Sequence, residues 1–250
     1  MYFAMDEIGF ENAEKIKTES DKWRFIYNVA KNYGFEGIHI TPSLYKKFDL
    51  DIDNIPEYFS DFKLTFHVSE KDLEKSLELA VKHNMYDVSI HPPPSSSPTE
   101  KNLSVELFKK SVDKWLNKFL KRGISFSLET HVAGEYFLFD GLYEFVNFID
   151  LFPELGVLID ISHNYYNPQY SEDDIINILG NKNVKGLHIS DALRSAEFEK
   201  GTHLPIGDGT IDFTKLLKHF DKIENLYGVL EIKSNNEGIE RSLKNLKKEL

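Results

Sequence analysis

Six ionisable residues stand out by type and spacing: His67, His91, Glu129, Asp160, His188 and Glu231. Each falls at or next to the C-terminal end of a short β-branched or aromatic run, one per run. With 41 Asp and Glu and 9 His in 250 residues, about one position in five is of this kind. Six hits in six chosen positions would then arise from composition roughly once in ten thousand trials. Three carboxylates and three imidazoles gathered in an enclosed space cannot stay unpaired, because burying isolated or like charges costs too much. A bound divalent cation resolves the conflict. Mixed His and carboxylate ligands suit Zn²⁺, Mn²⁺, Co²⁺ or Fe²⁺ better than Ca²⁺, so the expected chemistry is metal-assisted.

Other residues extend the set. In the segment Asp160-Ile-Ser-His163, His163 lies three residues past the aspartate, on the following loop. His203 lies in the long loop after the seventh run. Each is a candidate for binding a second or third metal, for orienting a substrate hydroxyl, or for an ordinary loop role. Arg194, six residues beyond His188, reads as a holder of a substrate oxygen or phosphate or as a surface arginine. His39 sits inside its run and reads as a hydrogen-bonded core histidine, while His83 and His219 read as surface helix residues. Lys233 has the parity to face the same site. The Gly-Asp-Gly-Thr of 207–210 lacks the spacing and following lysine of a phosphate-binding loop and reads as a turn. No G-x-S-x-G occurs, and zero cysteines exclude disulfides, zinc knuckles, iron–sulfur ligation and thiol catalysis. A nucleotide or organic cofactor is not expected.

The runs that carry these residues are YFAM (2–5), GIHI (37–40), LTFHV (64–68), DVSIH (87–91), SFSLE (125–129), GVLID (156–160), GLHIS (186–190) and GVLEI (228–232). Amphipathic stretches separate them. Ser104–Gly123 places Val105, Phe108, Val112, Trp115, Leu116, Phe119 and Leu120 on one helical face, with Gly123 as the stop. Ser69 with Asp72, and Ser171 with Asp174, fit capping boxes. Asp212 can cap a helix carrying Phe213, Leu216, Leu217 and Phe220, and the last helix shows Ile239, Leu243, Leu246 and Leu250. Strands alternating with helices imply parallel pairing through crossovers. Eight such units in 250 residues suit an α/β fold: a (β/α)₈ TIM barrel, one domain over 1–250, with its active site at the C-terminal ends of the strands. Period-2 alternation sends Phe126 and Leu128, Val88 and Ile90, Leu187 and Ile189 towards outer helices, and Glu129, His91, His188 and His67 into the barrel mouth. Three loops follow strands and should shape that mouth: 6–20, 91–99 (HPPPSSSPT) and 195–211.

Composition narrows the function classes. Hydrophobic residues at 41% and charged residues at 28% describe a folded chain with a core. No apolar run reaches the roughly 18–20 residues a bilayer crossing needs, and the N-terminus lacks a secretory pattern. A cytoplasmic protein without a membrane partner is expected. A net charge of −11 disfavours nucleic acid as a partner, and the Lys244–Lys248 run reads as a solvated helix face. Outer helix faces are compatible with a monomer or a homo-oligomer.

The order of SLET (127–130), LIDISH (158–163), GLHISD (186–191), THLPIGDGTIDF (202–213) and VLEI (229–232) resembles the xylose-isomerase-like TIM-barrel superfamily. That superfamily includes sugar-phosphate isomerases and epimerases, inosose-processing enzymes and family-2 AP endonucleases. In the epimerase-like branch, the resemblance implies one divalent metal (Zn, Mn or Co) on Glu129, Asp160, His188 and Glu231. It makes Glu129 and Glu231 an acid/base pair on opposite substrate faces, with His163 and Arg194 holding substrate oxygens. In the endonuclease branch it implies three zinc ions: one on His67, His91 and Glu129, and the next on Glu129, Asp160, His188 and Glu231. The third falls to His163, His203 and an aspartate two residues before the second histidine. Here that position is Gly201, which leaves Glu199 or Asp191 as open substitutes.

The resulting expectation is a divalent-metal-dependent isomerase or epimerase of a small sugar, sugar phosphate or polyol. A lyase reaction such as dehydration shares its first step. The alternatives are a multinuclear zinc phosphodiesterase of the AP-endonuclease kind and, third, a non-catalytic sugar- or metal-binding protein.

Overall fold

Eight short strands, each flanked by a crossover helix, follow the alternation read in the sequence. They are β1 (Tyr2–Met5), β2 (Gly37–Ile40), β3 (Lys63–Val68), β4 (Asp87–Ile90), β5 (Ser125–Glu129), β6 (Gly156–Asp160), β7 (Val184–Ile189) and β8 (Tyr227–Leu230). The computed structural model describes residues 1–5, 15–95, 97–131 and 137–249. Most of the first polar loop (6–14), Ser96 and Leu250 lie outside the described residues. Every strand pairs in parallel with its sequence neighbour, and β1 pairs with β8, so the sheet closes into a barrel. The helices are α1 (Glu19–Tyr33), α2 (Pro42–Lys47), α3 (Leu73–Lys82), α4 (Lys101–Leu120), α5 (Leu142–Ile149), α6 (Ile161–Tyr166), α7 (Glu172–Leu179), α8 (Phe198–Gly201), α9 (Phe213–Phe220) and α10 (Asn236–Glu249). The fold is a (β/α)₈ TIM barrel.

Local signals place most helix ends. Ser171 and Asp174 form the full capping box of α7, and Asp212 accepts from the Lys215 amide at 3.2 Å to open α9. Gly123 adopts φ 73°, and the Ile124 amide reaches back to the Phe119 carbonyl at 3.2 Å, ending α4. The Ser69–Asp72 box does not form. Residues 70–72 wind as a 3₁₀ turn closed by the Asp72 amide on the Ser69 carbonyl, so α3 starts one turn later, at Leu73. Helix α4 starts three residues ahead of the expected Ser104, and Leu120 at its end is partly exposed rather than core.

Alternation along the strands divides the molecule into two layers. Phe126, Leu128, Val88, Ile90, Leu187 and Ile189 are buried against the helices, with Phe119 of α4 stacked on Phe126 at 4.9 Å between ring centroids. The opposite set fills the barrel. Its lower layer is polar: buried Asp87 of β4 accepts from Ser127 Oγ at 2.8 Å and from Tyr227 Oη at 2.7 Å, a contact across the interior. The Tyr227 ring needs the space that Gly186 leaves on β7, where a Cβ would collide with it. Above it, Ala4, Leu158, Tyr227 and Val229 form a small apolar plug. The C-terminal rim is left for the ionisable side chains.

Gly186→Ala should therefore destabilise the fold by about 1–3 kcal/mol, the usual cost of overpacking a filled interior. Urea denaturation of the metal-free protein reads the loss, and an unchanged midpoint would mean that the Tyr227 ring shifts at no cost.

Candidate metal centre

The strand ends bring the six residues together. Glu129 and Asp160 end β5 and β6 fully buried, His67 and His188 lie on β3 and β7, and His91 and Glu231 follow β4 and β8 directly. His188 Nδ1 sits 3.0 Å from Glu129 Oε1 and 2.8 Å from Glu231 Oε2. His67 Nδ1 is 3.2 Å and His91 Nδ1 3.7 Å from Glu129 Oε2. On the other side, His163 Nδ1 lies 3.1 Å from Asp160 Oδ2, and His163 Nε2 lies 3.0 Å from His203 Nε2. His203 Nδ1 faces Glu231, 3.9 Å from its Oε2. Among the described residues three ligand groups result, each with its donor atoms within 4.8 Å of one another: His67–His91–Glu129, Glu129–Asp160–His188 and Asp160–His163–His203. Glu129 links the first to the second, and Asp160 links the second to the third.

Local structure holds these groups in place. Asp160 is the N-cap of α6, its Oδ1 accepting from the His163 amide at 2.8 Å and from Ser162 Oγ at 3.0 Å. Cap and fourth residue thus point into the same space, and Oδ2 is left over. His203 is set by an antiparallel bridge between Asp191 and Leu204, and its carbonyl accepts from the Lys233 amide at 2.7 Å. Its backbone is left-handed, φ 55°, an uncommon state for a non-glycine residue that is found at constrained functional positions.

The electrostatics fit a cation. Burial pushes the Glu129 carboxyl up to about 7; His188 opposes this, and the charges of Glu231 and Asp160 reinforce it. Burial also acts against the charged form of Glu231, but His188, His203 and His163 outweigh it and hold that carboxyl well below its usual range. His188 is disfavoured as a cation by burial, yet the two glutamates hold it protonated well above the ordinary imidazole range. Burial lowers His67 and His163. The contacts to His188 Nδ1 are close but misaligned for N–H···O bonds. His188 Nδ1, Glu129 Oε2, Glu231 Oε2, Asp160 Oδ2, His163 Nδ1 and His91 Nδ1 are all buried without a hydrogen-bond partner. Orphaned lone pairs that converge on common points are what a coordinating ion satisfies. Carboxylate and imidazole donors in these numbers suit Zn²⁺, Mn²⁺ or Co²⁺.

Other residues fall elsewhere. Arg194 does not join the group: its guanidinium donates to the Tyr165 carbonyl at 2.7 Å and to the Tyr170 carbonyl, and covers the Tyr165 ring. Gly201 has no room for the missing aspartate, since a Cβ would lie 2.6 Å from the Leu193 carbonyl oxygen. Neither open substitute fills that role. Asp191 is consumed by the amides of Ala192, Gly207, Gly209 and Ile211, which fold the Gly-Asp-Gly-Thr turn around it. Glu199 is exposed and pairs with Lys233 at 3.4 Å. Asp160 supplies the third carboxylate instead. His39 is buried, lies on the floor of the site and is lowered to about 3 by burial. His131 escapes the strand-end reading. It stands between His91 and His163, with ring centroids 5.1 and 5.7 Å away, and its parity, two residues past Glu129, was the available signal.

No curated protein matches the chain by sequence. Solved structures match it over its whole length. A D-tagatose 3-epimerase-like protein is 17% identical with a TM-score of 0.76, covering 100% of this chain and 97% of that one. An IOLI protein with a binding zinc atom is 15% identical with a TM-score of 0.70, covering 100% and 96%. A D-psicose 3-epimerase with D-tagatose from Clostridium cellulolyticum H10 is 14% identical with a TM-score of 0.69, covering 100% and 98%. The profile described as xylose isomerase-like TIM barrel matches residues 27–249.

Because Glu129 and His188 both carry protons near neutral pH, an entering metal must displace them. Zinc affinity should rise from about pH 6 to about pH 8, by roughly tenfold per unit for each proton displaced. Competition with a chromophoric chelator measures it, and a pH-independent affinity would contradict the raised values at these two residues.

Proposed function

The chain belongs to the xylose isomerase-like TIM barrel family, and on that footing we propose that it is a divalent-metal-dependent isomerase or epimerase of a small sugar, sugar phosphate or polyol. The observation that carries this reading is the pair Glu129 and Glu231 on either side of His188 Nδ1, at 3.0 and 2.8 Å. Their environments push the two carboxyls in opposite directions, one up to about 7 and one well down. Two carboxyls separated in this way are suited to act as acid and base at one pH.

Glu129, Asp160, His188 and Glu231 would hold the metal. Bound there, a divalent cation would act as a Lewis acid on a substrate carbonyl and hydroxyl. The chain supplies the proton transfers. One glutamate removes the proton from the carbon beside the carbonyl. The other returns a proton on the opposite face for epimerisation, or to the neighbouring carbon for isomerisation, in which the hydroxyl proton also passes to the former carbonyl oxygen. Burial keeps bulk water from the reacting carbon during the transfer, and the glutamates exchange their protons with solvent between turnovers. The open side of the site is a cavity of about 470 Å³ lined by His39, Thr41, Ser43, His203 and Lys233, among others, a volume in the range of small-molecule sites. His203 lines this space and His163 stands behind it, 3.0 Å away through their Nε2 atoms, as hydroxyl partners or as ligands of a further metal.

A second reading is supported by the chain of three linked ligand groups, which suits a multinuclear zinc phosphodiesterase. The net charge of −11 weighs against a nucleic-acid substrate. Elemental analysis of protein purified without added metal or chelator separates the two. One equivalent of Mn, Co or Zn supports the isomerase; two or three of zinc support the phosphodiesterase.

In a screen of aldoses, ketoses and their phosphates run in D₂O, the active pair should incorporate deuterium at one sugar carbon. Glu129→Gln and Glu231→Gln should each lower turnover by about 10²–10⁴-fold, the contribution of a general acid or base. If either variant kept wild-type turnover, the two-carboxylate mechanism would be wrong.

A further inference from the structure

Two unpartnered nitrogens lie beneath the metal centre. His188 turns Nδ1 to Glu129 and Glu231, which leaves Nε2 on the other edge of the ring, buried and without a hydrogen bond. The His39 ring packs edge-to-face on it, centroids 5.1 Å apart at 78°, and its own Nε2 is also buried and unpartnered. His39 Nδ1 is occupied, 2.7 Å from Thr65 Oγ1. His39 is 1% exposed, so neither nitrogen has bulk water as a partner.

A ligating imidazole almost always donates its second N–H to an outer acceptor, which fixes the tautomer and ring orientation. We propose that His39 is the positioning residue for the ligand His188. The two Nε2 atoms sit on packed rings without a hydrogen bond between them. In the proposed metal-bound arrangement Thr65 Oγ1 accepts from His39 Nδ1–H, and a rotation of the packed rings lets the lone pair of His39 Nε2 accept from His188 Nε2–H. His188 is then held in the tautomer whose Nδ1 lone pair faces the carboxylates. The inference rests on the reading that Glu129, Asp160, His188 and Glu231 hold a divalent cation. It runs from β3 through β2 to β7, across the barrel interior, and so links the floor of the barrel to its metal ligands. Ser190 Oγ, just past the end of β7, is a further unpartnered buried group, and it serves as the control.

The test uses the full chain, stripped of metal and titrated with Zn²⁺ against a chromophoric chelator, with Co²⁺ absorption as a second readout. Thermal melts of the metal-free proteins report folding. His39→Leu removes both nitrogens, His39→Asn keeps a group for Thr65, and His39→Gln keeps one at the Nε2 position. Leu and Asn should weaken zinc binding roughly 10- to 100-fold and alter the Co²⁺ bands, while Gln recovers most of the affinity and Ser190→Ala leaves it unchanged. The metal-free melts of the His39 variants should not fall in proportion.

A His39→Leu protein that binds zinc within about twofold of wild type overturns the proposal, since a lost outer partner costs more. So does a loss shared equally by Leu, Asn and Gln, or one that tracks the metal-free melting temperature. A wild-type chain that takes up no metal overturns both this inference and the reading beneath it. Wild-type binding matched by His39→Leu overturns this inference alone.

Discussion

The contest for His188 between two carboxylates governs the upper half of the barrel. Glu129 and Glu231 both approach its Nδ1; Glu129 is withdrawn from water with Asp160 beside it, while Glu231 keeps part of its surface open. One imidazolium cannot neutralise three carboxylates, two of them buried, so one of them must keep a proton or share a cation. Glu129 bears that strain, because it is the carboxylate common to the first two ligand groups. The orphaned lone pairs around it follow from the same conflict: their oxygens and nitrogens are placed for something other than one another.

That arrangement requires a stiff frame below. Parallel strands cannot slide without sending every side chain to the opposite face, and closure of β1 on β8 removes the sheet edges. The Asp87–Ser127–Tyr227 contact spans the interior beneath the site, in the space opened by Gly186. A polar layer at this depth is tolerated because each of its groups is hydrogen-bonded. The apolar half of each strand carries the burial against α4 and its neighbours, so the inner half is free to be chemical rather than cohesive.

The loops after β6 and β7 act as brackets for two histidines. Asp160 caps α6 and aims His163; Asp191 gathers four backbone amides and shapes the turn that follows His203. Arg194 ties the end of α6 to the segment before α7 by binding the Tyr165 and Tyr170 carbonyls. Residues that look ready for substrate in one dimension are thus partly committed to holding the ones that face it.

Much of this was legible before folding. Period-2 alternation is a property of the extended chain alone, so the inward parity of His67, His91, Glu129 and His188 could be read directly, as could the caps at Ser171 and Asp212. Strand number and helix alternation then implied the barrel. Partner choice was not legible, because it depends on which side chains meet across a closed sheet. Only closure sets Asp160 as the third carboxylate in place of a residue at Gly201, turns Arg194 to backbone carbonyls, and brings His131 between His91 and His163. His39 shows the division in one residue: its burial follows from a position inside a strand, but its unpartnered nitrogen beside His188 exists only because β2 and β7 face each other across the barrel.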